Sequence, residues 1–186
     1  MRLENSFEVP APPQAAWALL MDMPRVIPCM PGAKLDEAVD DSTWKATMNV
    51  KLGPISLTFA TDVKREASDA AARRAKLTAT AREARGRGNA VATIESSLTS
   101  QNGGTRVDIV TDLTLSGAVA QYGRGIVADV ASQLVTRFAD CLKAQLATPQ
   151  EAHAAVAAQA RPVGGLRLGL GALWRALNRL FRRTQA

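Results

Sequence analysis

The chain reads as an α+β protein in which an antiparallel sheet wraps around one long C-terminal helix. Three observations predict it. Between residues 44 and 115, apolar and polar residues alternate in several runs separated by short turns, as half-buried strands do. From Val119 the period lengthens to that of a helix, with Tyr122, Ile126, Val130, Leu134, Phe138, Cys141, Leu142 and Leu146 in one stripe over about 28 residues. Two short proline-opened helices separate a first strand from the rest. Strand, two short helices, antiparallel strands and a long last helix make a helix-grip arrangement, which leaves a cavity between sheet and helix.

The elements follow in order. Residues 3–9, with Leu3, Phe7 and Val9, form the first strand and run into Pro10-Ala-Pro-Pro. Pro12 and Pro13 suit the first turn of a helix through Trp17, Leu19, Leu20 and Met21 to Asp22. A second short helix spans 24–29, and Met30-Pro31-Gly32 turns the chain. Trp44, Ala46, Met48, Val50 and Leu52 alternate, Gly53-Pro54 turns, and Ile55, Leu57, Phe59, Thr61 and Val63 alternate again. Residues 70–85 have helical propensity, but Ala75, Leu77, Ala79 and Ala81 alternate between two strand candidates, so the run is read as a strand. Gly86-Arg-Gly88 leads into 90–98, Gln101-Asn-Gly-Gly104 makes a hairpin turn, and 107–115 alternates. A helix of about 28 residues, roughly 40 Å long, can cross the whole sheet.

The formal charge of +6 is concentrated at one end. Residues 161–186 hold six arginines and no acidic residue, so residues 1–160 balance 17 cations against 17 anions. Residues 148–165 read as a flexible Ala/Pro/Gly linker between a 1–147 domain and a 166–183 amphipathic helix. In that helix Leu166, Leu170, Leu173, Trp174, Leu177, Leu180 and Phe181 share one side, and Arg175, Arg179, Arg182 and Arg183 the other. Such a one-signed basic face matches an interfacial helix on anionic lipid. A partner protein and the chain's own domain are the other surfaces it could cover. Each Arg contributes roughly 1 kcal/mol near an anionic leaflet, and each large apolar side chain fully removed from water roughly 1.5–3 kcal/mol. Ordering an isolated 18-residue helix offsets part of this, so the anchor is expected to be reversible. Arginines interrupt the run too often for it to span a bilayer.

Composition excludes several functions. The neutral globular part and a single Tyr argue against a nucleic-acid surface. No apolar run of signal-peptide type lies in residues 1–7, so export by that route is not expected. Cys29 and Cys141 lie far apart among apolar neighbours and are read as reduced, buried thiols of a cytoplasmic protein. His153 is the only histidine and falls in the linker, which removes nucleophile–His arrangements and a His/Cys zinc site. Gly117, Gly123 and Gly125 follow no parallel strand–helix unit and are read as bends, not a nucleotide loop. Asp22, Asp108, Asp112 and Asp129 could pair as acid and base, but surface solvation is the commoner reason for such residues. No metal site and no catalytic residue is expected.

Certain segments carry a family resemblance. Ala-Pro-Pro-Gln-Ala-Ala-Trp-Ala-Leu-Leu-Met-Asp (11–22), Val-Ile-Pro-Cys-Met-Pro-Gly (26–32), Val-Lys-Leu-Gly-Pro-Ile (50–55), Asn-Gly-Gly-Thr-Arg-Val (102–107) and Leu-Ser-Gly-Ala-Val-Ala-Gln-Tyr-Gly (115–123) resemble the family of the carbon monoxide dehydrogenase subunit CoxG. The resemblance covers about residues 1–147 and implies the START/Bet v 1-like (SRPBCC) helix-grip fold. It further implies a non-enzymatic accessory of a molybdenum-containing hydroxylase of the CO dehydrogenase type. That role would tether the enzyme to the inner face of the cell membrane and carry a lipophilic ligand. The implied ligand is a quinone, menaquinone or ubiquinone, with no covalently bound cofactor. The basic tail lies outside the matched segments, so its membrane reading is a separate argument.

Inward candidates for the cavity are Trp17, Leu20, Met21, Met30, Phe59, Leu113, Tyr122, Ile126, Val130 and Leu134. Ala46, Ala60, Ala75, Ala79, Ala81, Ala90 and Ala92 fill little volume, which favours space between sheet and helix and an apolar ligand. The rival functions are a recruitment scaffold with a closed core and a cyclase- or hydrolase-type enzyme of the same fold.

Overall fold

A computed structural model describes residues 1–52 and 55–147, and of Leu52 its backbone. The Gly53-Pro54 turn, the 148–165 linker and the 166–183 helix lie outside the described residues. Met1–Ala147 form one compact unit.

Seven antiparallel strands make one sheet: β1 (Arg2–Val9), β2 (Ala33–Ala38), β3 (Thr43–Leu52), β4 (Ile55–Asp69), β5 (Arg74–Glu83), β6 (Gly88–Gln101) and β7 (Gly104–Gly117). Their order is β1-β7-β6-β5-β4-β3-β2, so the first strand joins the last and the sheet stays open at β1 and β2. The long strands twist and curve, helped by shifts of register between Arg65 and Ala67 and between Leu35 and Glu37. The alternation in residues 75–81 wins over helical propensity because the run pairs along both sides, with β4 and β6.

The helices α1 (Pro13–Met21) and α2 (Met23–Val26) and a 3-10 turn (Ile27–Cys29) follow β1. Pro13 opens α1, and Asp22 ends it while accepting a hydrogen bond from the Arg25 amide at 3.3 Å, which caps α2. Gly32 then turns the chain at φ +83°, where a side chain would collide with the Asn49 carbonyl. Residues 33–38, β2, were not expected as a strand. With Lys34, Asp36 and Glu37 they form a short, charged edge of the kind that resists pairing with other sheets.

The last helix is shorter than the stripe predicts. Gly117, at φ +74°, breaks β7, a 3-10 turn covers Ala118–Gln121, Tyr122 is extended, and α3 runs from Arg124 to Leu146. Its C-terminal half closes the main core. Phe138 meets Phe7 of β1 edge-to-face with ring centroids 6.1 Å apart. Leu142 and Phe138 pack with Val9, Ala16, Leu19, Val26, Leu98 and Val107. A second cluster beneath α2 holds Met23, Ile27, Trp44 and Ala46, with the Arg65 guanidinium over the Trp44 ring at 5.3 Å.

Cys29 and Cys141 form a disulfide, which corrects the expectation of two free thiols. The packing of the 3-10 turn on α3 brings their Cα atoms to 5.4 Å, although 112 residues separate them. Spacing along a chain carries no trace of such a crossing. The Gln145 side-chain amide donates to Cys29 Sγ at 3.1 Å and to the Arg25 carbonyl at 3.3 Å, tying the same two elements.

Candidate functional site

Between the inner sheet face, the α1–α2 segment and the N-terminal half of α3 lies a cavity of about 440 Å³. Its floor follows from strand register. One row runs Ala46, Thr61, Ala81, Ala90, Leu115 across β3 to β7, and the next runs Trp44, Val63, Ala79, Ala92, Leu113. Alanines occupy the middle of both rows, so the sheet curves around α3 with nothing tall enough to meet it. Six of the seven small residues singled out from sequence line the space: Ala46, Ala75, Ala79, Ala81, Ala90 and Ala92. Ala60 is exposed on the opposite face, because its neighbours Phe59 and Thr61 point inward.

Of the ten inward candidates, Leu20, Met21, Met30, Phe59, Leu113, Val130 and Leu134 line the cavity. Trp17, Tyr122 and Ile126 do not. Trp17 packs against the closed core, Tyr122 packs beside Leu57, Phe59 and Val119, and Ile126 is 50% exposed. The error on α3 is geometric. Steps of four residues advance about 40° beyond a full turn each time, so a stripe drawn through Ile126, Val130, Leu134 and Phe138 winds around the helix. The face over the cavity is instead Val127, Val130, Ala131, Leu134, Val135 and Phe138. Met23, Val26 and Ile27 from the α2 segment also reach it.

Among the described residues the wall holds no charged side chain; its polar members are Asn5, Thr61, Ser96 and Thr111. Asn5, Ser96 and Thr111 stand on the neighbouring strands β1, β6 and β7, while Thr61 stands alone on β4. Thr61 and Thr111 were visible in sequence as inward beats of an alternating strand, but their hydroxyls gave no further signal. The four aspartates considered as acid or base all lie off the wall. Asp22 caps α2, Asp108 pairs with Arg106 at 2.8 Å, Asp112 lies 4.0 Å from Arg2, and Asp129 is exposed. Among the described residues no group of His, Cys, Asp and Glu could hold a metal ion, and no helix is long and apolar enough to cross a membrane.

One buried carboxylate has a structural task. Burial would raise the pKa of Glu83, but the amides of Arg87 and Arg85 donate to it at 3.0 and 2.8 Å and the Arg87 guanidinium stands 3.8 Å away. Together they hold it below the usual carboxylate range, and the ionised group closes the β5–β6 hairpin at the cavity's edge.

Residues 6–147 match the family of the carbon monoxide dehydrogenase subunit CoxG. The chain belongs to the CoxG family. No curated protein matches it. Solved structures similar to this CoxG-family chain share its fold. A conserved protein from Geobacillus kaustophilus aligns at a TM-score of 0.71 and 20% identity, covering 78% of this chain and 95% of that one. The Zhui aromatase/cyclase from Streptomyces sp. R1128 aligns at 0.56 and 12% identity, covering 78% and 93%. Ara h 8.0201 aligns at 0.55 and 16% identity, covering 78% and 97%. At these identities the likeness establishes the Bet v 1-like helix-grip fold.

Proposed function

We propose that this CoxG-family chain is a non-enzymatic accessory of a molybdenum hydroxylase of the CO dehydrogenase type. It carries a neutral lipophilic ligand, a menaquinone or ubiquinone, in the helix-grip cavity and tethers its partner enzyme to the cytoplasmic face of the cell membrane. The observation that carries this reading is the alanine-floored, uncharged cavity of about 440 Å³, a volume in the range of small-molecule sites. Charged ligands would leave an unpaired ion in such a wall at a high desolvation cost, whereas a quinone brings apolar area and two weak acceptors. Among the described residues the wall has no carboxylate, histidine or lysine, which suits holding a ligand better than moving its protons.

The basic tail supplies the other half of the mechanism. Residues 161–186, rich in arginine, are attracted to an anionic leaflet, which brings the cavity to the bilayer where quinones reside. On the cytoplasmic side a disulfide is uncommon, and of the two half-cystines Cys29 is buried and Cys141 partly exposed.

Quinone transfer from anionic vesicles tests the reading. Full-length protein incubated with quinone-loaded vesicles and then separated is expected to retain quinone, and deletion of 161–186 is expected to abolish vesicle binding and slow the loading. Retained vesicle binding by the truncated chain would remove the anchor. Full-length protein recovered without quinone would remove the carrier.

A further inference from the structure

We propose that the Asn5 carboxamide, with the Thr111 and Ser96 hydroxyls beside it, holds the oxygen-bearing end of the cavity's ligand. The proposal rests on the carrier reading and gives the ligand an orientation. Strand register brings the three side chains together on the inner sheet face. Asn5 of β1 stands opposite Ile109 of β7, Ile109 stands opposite Ser96 of β6, and Thr111 is the next inward residue of β7. Thr111 is therefore the diagonal neighbour of both Asn5 and Ser96, roughly 7–8 Å from each. All three line the cavity, and among the described residues none of them has a side-chain hydrogen bond. Their polar atoms are not closed off by protein either. Among the described residues the one covered side-chain oxygen or nitrogen without a partner is Thr61 Oγ1, which leaves these three as the polar groups open to the cavity.

Their place in the sheet sets the ligand's direction. One row toward the core, Phe7, Val107 and Leu98 are packed under Phe138 and Leu142. On the other side of Thr111 the rows turn to Ala92 and Ala79, then to Ala90 and Ala81. The cavity thus has one polar pole, where the core ends, and an apolar remainder. A ligand with oxygens at one end and an apolar body matches it with its oxygens at Asn5 and its body over the alanines. Asn5 also borders a second pocket of about 160 Å³ between β1 and α3, lined by Ser132 and Thr136 among others. That space is polar and roomy enough for water, which satisfies the carboxamide when the cavity holds no ligand. A carboxamide both donates and accepts, so it can meet the carbonyl of a quinone and the hydroxyl of the reduced form. The uncharged wall around it favours such neutral groups over a carboxylate or phosphate.

The test uses the full chain, titrated calorimetrically with a short-chain ubiquinone and with an oxygen-free alkylbenzene of similar size. For Asn5→Leu, quinone affinity should fall roughly 3- to 10-fold, the size of one neutral hydrogen bond, while alkylbenzene affinity holds or rises. In the wild-type protein the side-chain amide resonances of Asn5 should shift with quinone and stay in place with alkylbenzene, a readout that does not depend on the variant folding. Unchanged quinone affinity in folded Asn5→Leu, an equal loss for both ligands, or an Asn5 amide that ignores quinone overturns the assignment and leaves the carrier reading standing. Wild-type protein that binds alkylbenzene and no quinone overturns both.

Discussion

Two ends of one sheet are finished differently. Where the Leu98 end of β6 meets β7 and β1, the inner positions are Phe7, Val9, Leu98 and Val107, and the C-terminal half of α3 fills the gap with Phe138 and Leu142. Across β5 and β6 the inner positions are Ala79, Ala81, Ala90 and Ala92, and the N-terminal half of the same helix spans a hollow. Backbone and hydrogen-bond ladders continue through both regions, and the alanines of β5 and β6 leave room beneath the helix that the larger side chains of the core do not. An alanine where a leucine could stand forgoes roughly 2 kcal/mol of apolar burial. Several of them together weigh heavily against a net stability of about 5–15 kcal/mol. The contrast teaches that the filled end carries the folding, while the hollow end is maintained at a cost to it.

The contrast can be broken most severely at the filled end. Replacing both Cys29 and Cys141 with serine opens a crosslink between residues 112 apart and should lower unfolding free energy by about 4–5 kcal/mol, read by guanidinium denaturation under oxidising conditions. Leu142→Ala, at a side chain 1% exposed, should cost about 3–5 kcal/mol in the same assay. The paired substitutions Ala16→Leu and Ala92→Leu sharpen the comparison further. Ala16 is 1% exposed inside the closed core, so its enlargement should destabilise by about 1–3 kcal/mol. Ala92 faces the cavity, so the same change should be neutral or stabilising by up to about 2 kcal/mol, while quinone affinity falls at least tenfold. Destabilisation of equal size at both sites would mean that the hollow is packed space.

The smallest effect concerns pH. The carboxyl of Glu83 titrates lower in the folded protein than in the unfolded chain, so its contribution is present above the usual glutamate pKa of about 4.3. It is lost as pH falls through the depressed folded value. Glu83→Gln should therefore lower the melting temperature at pH 7 and flatten its fall below about pH 4.3. Melting curves between neutral and acid pH check this, and a parallel fall in wild type and variant would contradict it.

Much of this was legible in the chain. Alternation placed β3 through β7, prolines placed α1 and α2, and the small residues of β5 and β6 foretold a hollow. What stayed hidden depends on tertiary geometry. The Cys29–Cys141 bridge needs the crossing of a 3-10 turn with α3, and the short charged edge strand β2 lacks an apolar rhythm. Ile126 was misplaced because a four-residue stripe drifts around a helix of 3.6 residues per turn. Asn5 is a polar beat among Leu3, Phe7 and Val9, and only strand register brings it beside Ser96 and Thr111.

Native mass spectrometry of the protein purified gently from its host's membranes decides whether the cavity holds a ligand. A quinone-sized mass bound to the wild-type chain, and lost from Ala92→Leu and from Val130→Trp, is the predicted result. A wild-type chain that emerges without bound lipid, or filled variants that keep the same mass, would contradict a ligand held over the alanines of β5 and β6.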